Sequence, residues 1–324
     1  MLYVNTRERI NVFTPGFVLS RGGEKHYLPY KLPAFSGVEL LTFLQKDINQ
    51  RIAGILNLFF RTELSGLDVA FAAGRNPIRI AAMPYKIAIL ETWHSAEDSF
   101  EGLVKALYHL VSLGKDRPAE PCKWFRIAVR IALLFAAFGE LMKTGIAGVN
   151  KPIDMSLPVN DFESVMAAWI ARKMGLPIGC IILSCDELGG VWEFFRYGKI
   201  RFNYSRVEKV PSYSENTEYS CFEPLIYATL GYREAERFRT ACEEERIYTL
   251  REDQLAILGK DILCTAVRAQ RVYEIVPNFF KTNSYLMGYD TAFAYAGLQD
   301  YRAAKGETGA VLMLSNIKPQ SGNG

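Results

Sequence analysis

The spacing of apolar residues divides the chain into alternating strands and helices. Ile153–Leu157 is a short apolar run of the length of a buried strand, and Cys180–Cys185 is a second. Between them, Phe162–Met174 carries Val165, Met166, Ala168, Trp169 and Ile170 at helical spacing. Arg172 and Lys173 close its last turn and Gly175 stops it, which suits the C-terminal end of the helix dipole. Pro158–Asp161 is the connecting turn, and the Asp161 carboxylate can cap the helix by accepting its first backbone N–H groups. Ile153–Glu187 is therefore one strand–turn–helix–strand unit, which implies parallel strands covered by helices. Ligands of such units sit at the turn after the first strand, where the helix N-terminus favours anions.

The same reading extends outward. Gly37–Arg61 places Leu40, Leu41, Leu44, Ile48, Ile52, Ile55 and Leu56 on one face and predicts a single helical stretch. Lys86–Leu90 predicts a strand. Lys123–Thr144 is strongly apolar, but Arg126, Arg130 and Glu140 make it too charged to span a bilayer, so a buried helix is expected. Charged helices are predicted at Arg233–Glu245 and Arg251–Leu258. A short polar linker is expected at Gly114–Pro121, and turns at Arg75–Pro77 and Gly306–Gly309. The expected fold class is α/β, a mainly parallel twisted sheet flanked by helices. The expected division is an N-terminal helical extension over 1–85 and an α/β core over 86–324.

Composition narrows the function classes. The chain has 324 residues, 49% hydrophobic, enough for one large domain or two ordinary ones. A net charge of +3 points to neither nucleic acid nor an anionic membrane as partner. Six cysteines form no CxxC pair and only three histidines are present, so neither a metal site nor a disulfide framework is expected, which suits a reduced cytoplasmic compartment. Charges at Arg7, Glu8 and Arg9 interrupt any apolar leader, so no signal peptide is expected.

Several stretches, in one order, resemble the threonine synthases, pyridoxal-phosphate enzymes of the tryptophan-synthase-β-like fold (fold type II). Ala171–Ile178, ARKMGLPI, is similar to the end of the helix that follows the family's phosphate-binding turn. Leu90–Ser95 resembles the family's Leu-Glu-Leu-Phe-His-Gly. Trp124–Ile127 resembles its Trp-Ala-Arg-Ile helix, and Phe222–Gly231 its Phe-Glu-Arg-Leu-Leu-Tyr-x-Leu-Leu-Gly. Ala310–Ser315 matches the family's last strand, whose Ser/Thr faces the pyridine nitrogen, so the resemblance puts Ser315 there. It covers nearly all of Met1–Pro319.

The functional positions depart from the pattern. Counting without gaps, Phe100 keeps its place, while Glu101 falls on the lysine that forms the Schiff base. A carboxylate cannot form one. Lys105, one turn further on, is the nearest alternative amine. The phosphate turn becomes Asn160-Asp161-Phe162-Glu163, with Asn160 and Glu163 replacing its two glycines. The polar linker Gly114–Pro121 stands where the family carries a further domain-sized segment. Phosphate carries about −1.5 to −2 charges near pH 7, and Asp161 and Glu163 would repel it. No cofactor is therefore expected, and pyridoxal phosphate should not bind in the family manner. The two acids serve either as ordinary helix caps or as a site for a cationic ligand. His94 keeps a family position, whereas His26 and His109 have no partner visible in the sequence.

Three functions follow. The first is a catalytically inactive threonine-synthase-like protein with a binding, regulatory or partner role. The second is a diverged enzyme using the remnant cleft. The third is an active lyase converting O-phosphohomoserine to threonine with its lysine elsewhere. A self-associated oligomer or a protein partner is expected over the face vacated by the missing segment. Glu101, Asp161 and Glu163 are expected to share one cleft, with Arg126, Lys105 or another cation needed to offset their repulsion.

Overall fold

The small N-terminal sheet forms first along the chain. Strands β1 (Tyr3–Asn5) and β2 (Val12–Phe13), helix α1 (Pro15–Leu19) and strand β3 (Tyr27–Pro29) make an antiparallel sheet in the order β2-β1-β3. The structure is a computed structural model and describes all residues except 9–10, 22–26, 96, 113–117, 119, 188, 203–221, 245, 307–308 and 320–324. The expected linker at Gly114–Pro121 and turn at Gly306–Gly309 lie partly outside the described residues, as do His26 and Cys221.

The stretch expected as one helix over Gly37–Arg61 is two, α2 (Gly37–Leu44) and α3 (Ile48–Phe60). The break has a local cause. Asp47 accepts a bond from the Gln50 N–H at 2.8 Å and the Gln50 side chain returns one to the Asp47 N–H at 3.3 Å. This capping box starts a new helix and so ends the old one. Helix α4 (Gly66–Ala73) follows, with its own box from Ser65 and Asp68.

A six-stranded sheet organises the rest. Strands β4 (Arg79–Met83) and β5 (Ile87–Glu91) form a hairpin whose turn residues Tyr85 and Lys86 both have left-handed φ, 59° and 58°. Helices α5 (Phe100–Val111) and α6 (Lys123–Lys143) lead to β6 (Ile153–Pro158), α7 (Phe162–Lys173) and β7 (Ile178–Asp186), the unit read from the sequence. A lateral group follows: α8 (Gly190–Tyr197), β8 (Lys199–Arg201), α9 (Glu223–Leu230), α10 (Tyr232–Glu243), β9 (Ile247–Thr249) and α11 (Glu252–Gly259). Strand β10 (Ile262–Val267), helices α12 (Ala269–Asn283) and α13 (Tyr289–Lys305), and strand β11 (Val311–Ser315) complete the fold. The sheet order is β10-β7-β6-β11-β5-β4, parallel throughout except for the antiparallel edge strand β4. The molecule is thus a mixed α/β fold with a mostly parallel sheet flanked by helices.

One continuous set of buried side chains runs from Tyr3 to Leu314 and crosses residue 85. Helices α3 and α6 meet within it. Arg51 is fully buried there, donates to the Leu44 carbonyl at 3.3 Å and pairs with Glu140. Gly139 on α6 leaves the space its guanidinium fills. Glu223 at the start of α9 is also buried and is held by Arg7 at 3.0 Å and Arg239 at 3.4 Å, which fastens the N-terminal sheet to the lateral group. No helix among the described residues is long and apolar enough to cross a membrane.

Helix α13 lies close on the sheet because Gly297 has no Cβ. A methyl there would collide with the Ser184 hydroxyl and stand 2.6 Å from Thr265 Oγ1. The nearby Ser156 hydroxyl donates to the Ala294 carbonyl of the same helix at 2.8 Å. Gly297→Ala should therefore destabilise the fold by about 1–3 kcal/mol through overpacking. A urea titration should show this as a lower midpoint with an unchanged slope.

Candidate functional site

The parallel strands end on one edge, where open α/β sheets hold their ligands. Glu91 closes β5, Ser315 closes β11, Pro158 closes β6 and Asp186 closes β7. The turn after β6 starts α7, and the loop after β5 starts α5. Helix α6 presents Arg126 and Arg130, one turn apart, between those two helix starts.

The two arginines convert three acids into one network. Glu101, in the first turn of α5, is gripped by Arg126 at both carboxylate oxygens, at 2.5 and 2.7 Å. The same guanidinium donates through Nε to both oxygens of Glu163 at 3.1 Å. Arg130 pairs with Glu163 and with Asp161, each at 3.1 Å, and donates to Ser164 Oγ at 3.0 Å. Its guanidinium lies 3.9 Å from the centre of the Phe100 ring, a cation–π contact in a nearly dry site. Asp161 caps α7 by accepting from the Ser164 N–H at 3.3 Å, and takes a further bond from Asn316 Nδ2 at 2.6 Å. The expected convergence of Glu101, Asp161 and Glu163 is what the structure holds. The Arg126 hydrogen bond keeps the Glu101 carboxyl below its ordinary range, against the opposing effect of burial.

The other expected positions divide. Phe100 lies in the cluster. Phe162 turns into the core against Phe222, with ring centres 4.0 Å apart. Asn160 points away from the arginines and donates to Asp290 at 3.0 Å. Ser315 accepts from Trp93 Nε1 at 3.1 Å on the far side of Asn316. Lys105 faces Glu120 at 3.9 Å. Asn316 entered no expectation from the sequence, yet it joins the two halves of the edge by bonding Asp161 and receiving from the Thr92 hydroxyl at 3.0 Å.

These residues do not fit pyridoxal phosphate. The first turn of α5 offers a carboxylate already engaged by an arginine. The N-terminus of α7 is capped by Asp161, which uses the N–H group and dipole a phosphate would need. The space left beside Arg130, Thr92, Ser164 and Asn316 is about 10 Å3. That is room for about one water, against roughly 300–1,000 Å3 in ligand pockets. The larger cavities lie elsewhere, one of 310 Å3 beside Tyr30, Trp169 and Tyr227 and one of 370 Å3 beside Tyr85, Arg271 and Phe279.

The fold, a mostly parallel sheet flanked by helices, is the one shared by threonine synthases of the fold-type II pyridoxal-phosphate enzymes. The pyridoxal-phosphate-bound threonine synthase from Brucella melitensis superposes with a TM-score of 0.79 at 16% identity, over 98% of this chain and 89% of that one. The threonine synthase of Corynebacterium glutamicum is 28% identical over 145 residues, 43% of this chain. Threonine synthase-like 1 from Homo sapiens is 25% identical over 80 residues, 25% of this chain. The matches span only 29% and 11% of those two relatives' lengths. No protein-family model matches the chain. Within that fold, the chain is similar in sequence and structure to the threonine synthases.

Two outcomes follow from the network. Replacing Arg126→Met leaves three carboxylates to one arginine and should cost about 2 kcal/mol, the scale of lost hydrogen bonds to charged groups. The second concerns acid. A carboxyl held low contributes stability that is present above its unfolded pKa and is lost as pH falls through its folded pKa. A carbon-detected NMR titration should therefore place the Glu101 midpoint below the ordinary glutamate range, and Arg126→Met should raise it.

Proposed function

We propose that this chain is a threonine-synthase-like protein that is inactive as a threonine synthase and works through binding. The observation that carries this is Arg126, shared between Glu101 and Glu163. It fills with internal ion pairs the place where the family resemblance puts an amine and a phosphate. Such a network pairs the protein's own charges and holds α5, α6 and α7 in one arrangement.

The cheapest test adds pyridoxal phosphate to the purified protein. No borohydride-reducible Schiff-base absorbance should develop. Glu101→Lys alone should not restore threonine formation from O-phosphohomoserine, because Asp161 still caps α7 and Glu163 still holds Arg126 and Arg130. A single change that produced both the band and turnover would sink this reading.

The binding role is placed on the face beside α5. Its C-terminal end leads into the segment where the family carries additional chain. Next to it, α4 exposes Leu67 and Phe71, 82% and 97% exposed and one turn apart. Large apolar side chains displayed together mark interaction surfaces. Sedimentation at micromolar concentration should show self-association that Phe71→Glu weakens. A wild-type monomer unaffected by that change would remove the support for self-association through α4.

A further inference from the structure

A second constellation occupies the same sheet edge and shares no residue with the arginine network. Glu91, at the end of β5, is 2% exposed. Its Oε2 lies 2.7 Å from His94 Nε2, and its Oε1 accepts from the Tyr285 hydroxyl at 2.9 Å. Burial and then the Glu91 charge push the Tyr285 phenol up, so it stays a donor to Glu91. Arg79 is the cross-strand neighbour of Glu91, with Nε 4.0 Å from Oε2. The His94 ring stacks on Trp93 with centres 4.2 Å apart, and the Trp93 N–H is fixed on Ser315.

This geometry sets the state of the imidazole. A carboxylate on Nε2 takes the N–H there and leaves the lone pair on Nδ1. Among the described residues nothing bonds to Nδ1, and the His94 side chain is 26% exposed. An imidazole with one nitrogen held by a buried carboxylate and the other without a partner among the described residues is a base with its orienting group. Beside it, Arg79 is 69% exposed, and no described residue pairs with its terminal nitrogens. That free fork matches a carboxylate. The remaining charges nearby are Lys318, 5.9 Å from the Trp93 ring centre, and Asp98, which pairs with Lys318 at 2.8 Å.

We propose that Glu91 and His94 form a general-base site for small 2-oxo acids held through their carboxylate by Arg79. In the step, the C–H bond beside the substrate carbonyl breaks and its proton passes to His94 Nδ1. The electron pair moves through the new C=C bond onto the carbonyl oxygen and gives an enolate. The imidazolium is stabilised by Glu91, and returning a proton from Nδ1 to carbon restores the 2-oxo acid. Nothing is oxidised or reduced and no other reactant is consumed. His94 is the catalytic residue, and Glu91 is a positioning residue that acts through it.

Pyruvate in deuterated buffer is the probe, with loss of its methyl proton signal followed by NMR. The protein should speed exchange above buffer, and His94→Gln should slow the protein-dependent rate by about 100-fold, the scale of general-base catalysis. Glu91→Gln removes the charge that faces His94 Nε2, so kcat should fall with little change in KM. Arg79→Met should raise KM with little change in kcat. The His94 resonance, one of only three histidines, should shift on adding pyruvate to the unaltered protein, a readout that does not depend on any variant folding. Equal exchange by wild type and His94→Gln overturns the proposal, as does a kcat unmoved by Glu91→Gln. An unchanged KM in Arg79→Met overturns the carboxylate assignment.

Discussion

Arg126 and Arg130 are the constraint on which the site depends. They stand one turn apart on a helix that is buried along nearly its whole length, with the Arg130 side chain 9% exposed and that of Arg126 24%. Three carboxylates from two other helices reach them there. Without the arginines, Glu101, Asp161 and Glu163 would repel one another. With them, α5, α6 and α7 are joined by bonds whose strength depends on low local dielectric. The parts are those of an anion site, namely helix starts and cations. The anions are the protein's own.

Fold and site rest on different residues. A TM-score of 0.79 at 16% identity means that the backbone path persists where few side chains do. What has to persist is pattern and volume: apolar strands in β5, β6, β7 and β11, and close approach where α13 crosses the sheet at Gly297. Charged positions at the strand ends carry no such requirement. The arginine network pairs its own charges, although Arg130 Nη1, 3.1 Å from Glu163, makes no aligned hydrogen bond.

Much of this was legible in the sequence, and the failures have physical causes. Ile153–Glu187 reads as its structure because periodicity switches cleanly from strand to helix and back. Gly37–Arg61 misleads because the apolar face stays in phase across the break, whereas Asp47 and Gln50, three apart, carried the capping signal that divides it. The convergence of Glu101, Asp161 and Glu163 came from resemblance, and Arg126 and Arg130 were visible as a pair at helical spacing. Asn160, a position of the expected phosphate turn, bonds Asp290, 130 residues away. Asn316 and the Glu91–Tyr285 bond were invisible for the same reason. Tyr285 lies 194 positions beyond Glu91, and no local pattern marks a partner at that distance.

The position of β11 has a consequence for how the chain acquires its shape. This strand lies between β6 and β5, yet it follows every other strand in sequence. Until Val311–Ser315 is available, β4 and β5 form one ribbon and β6, β7 and β10 another, with no strand between them. Each then leaves an unpaired parallel edge, the surface on which strands of separate molecules join. Sheet closure is a late, long-range event whose loop entropy slows it relative to helix formation. A ribosome-bound chain halted before Val311 would hold two sticky half-sheets, so for this topology the dangerous interval of synthesis is the one just before β11 is made.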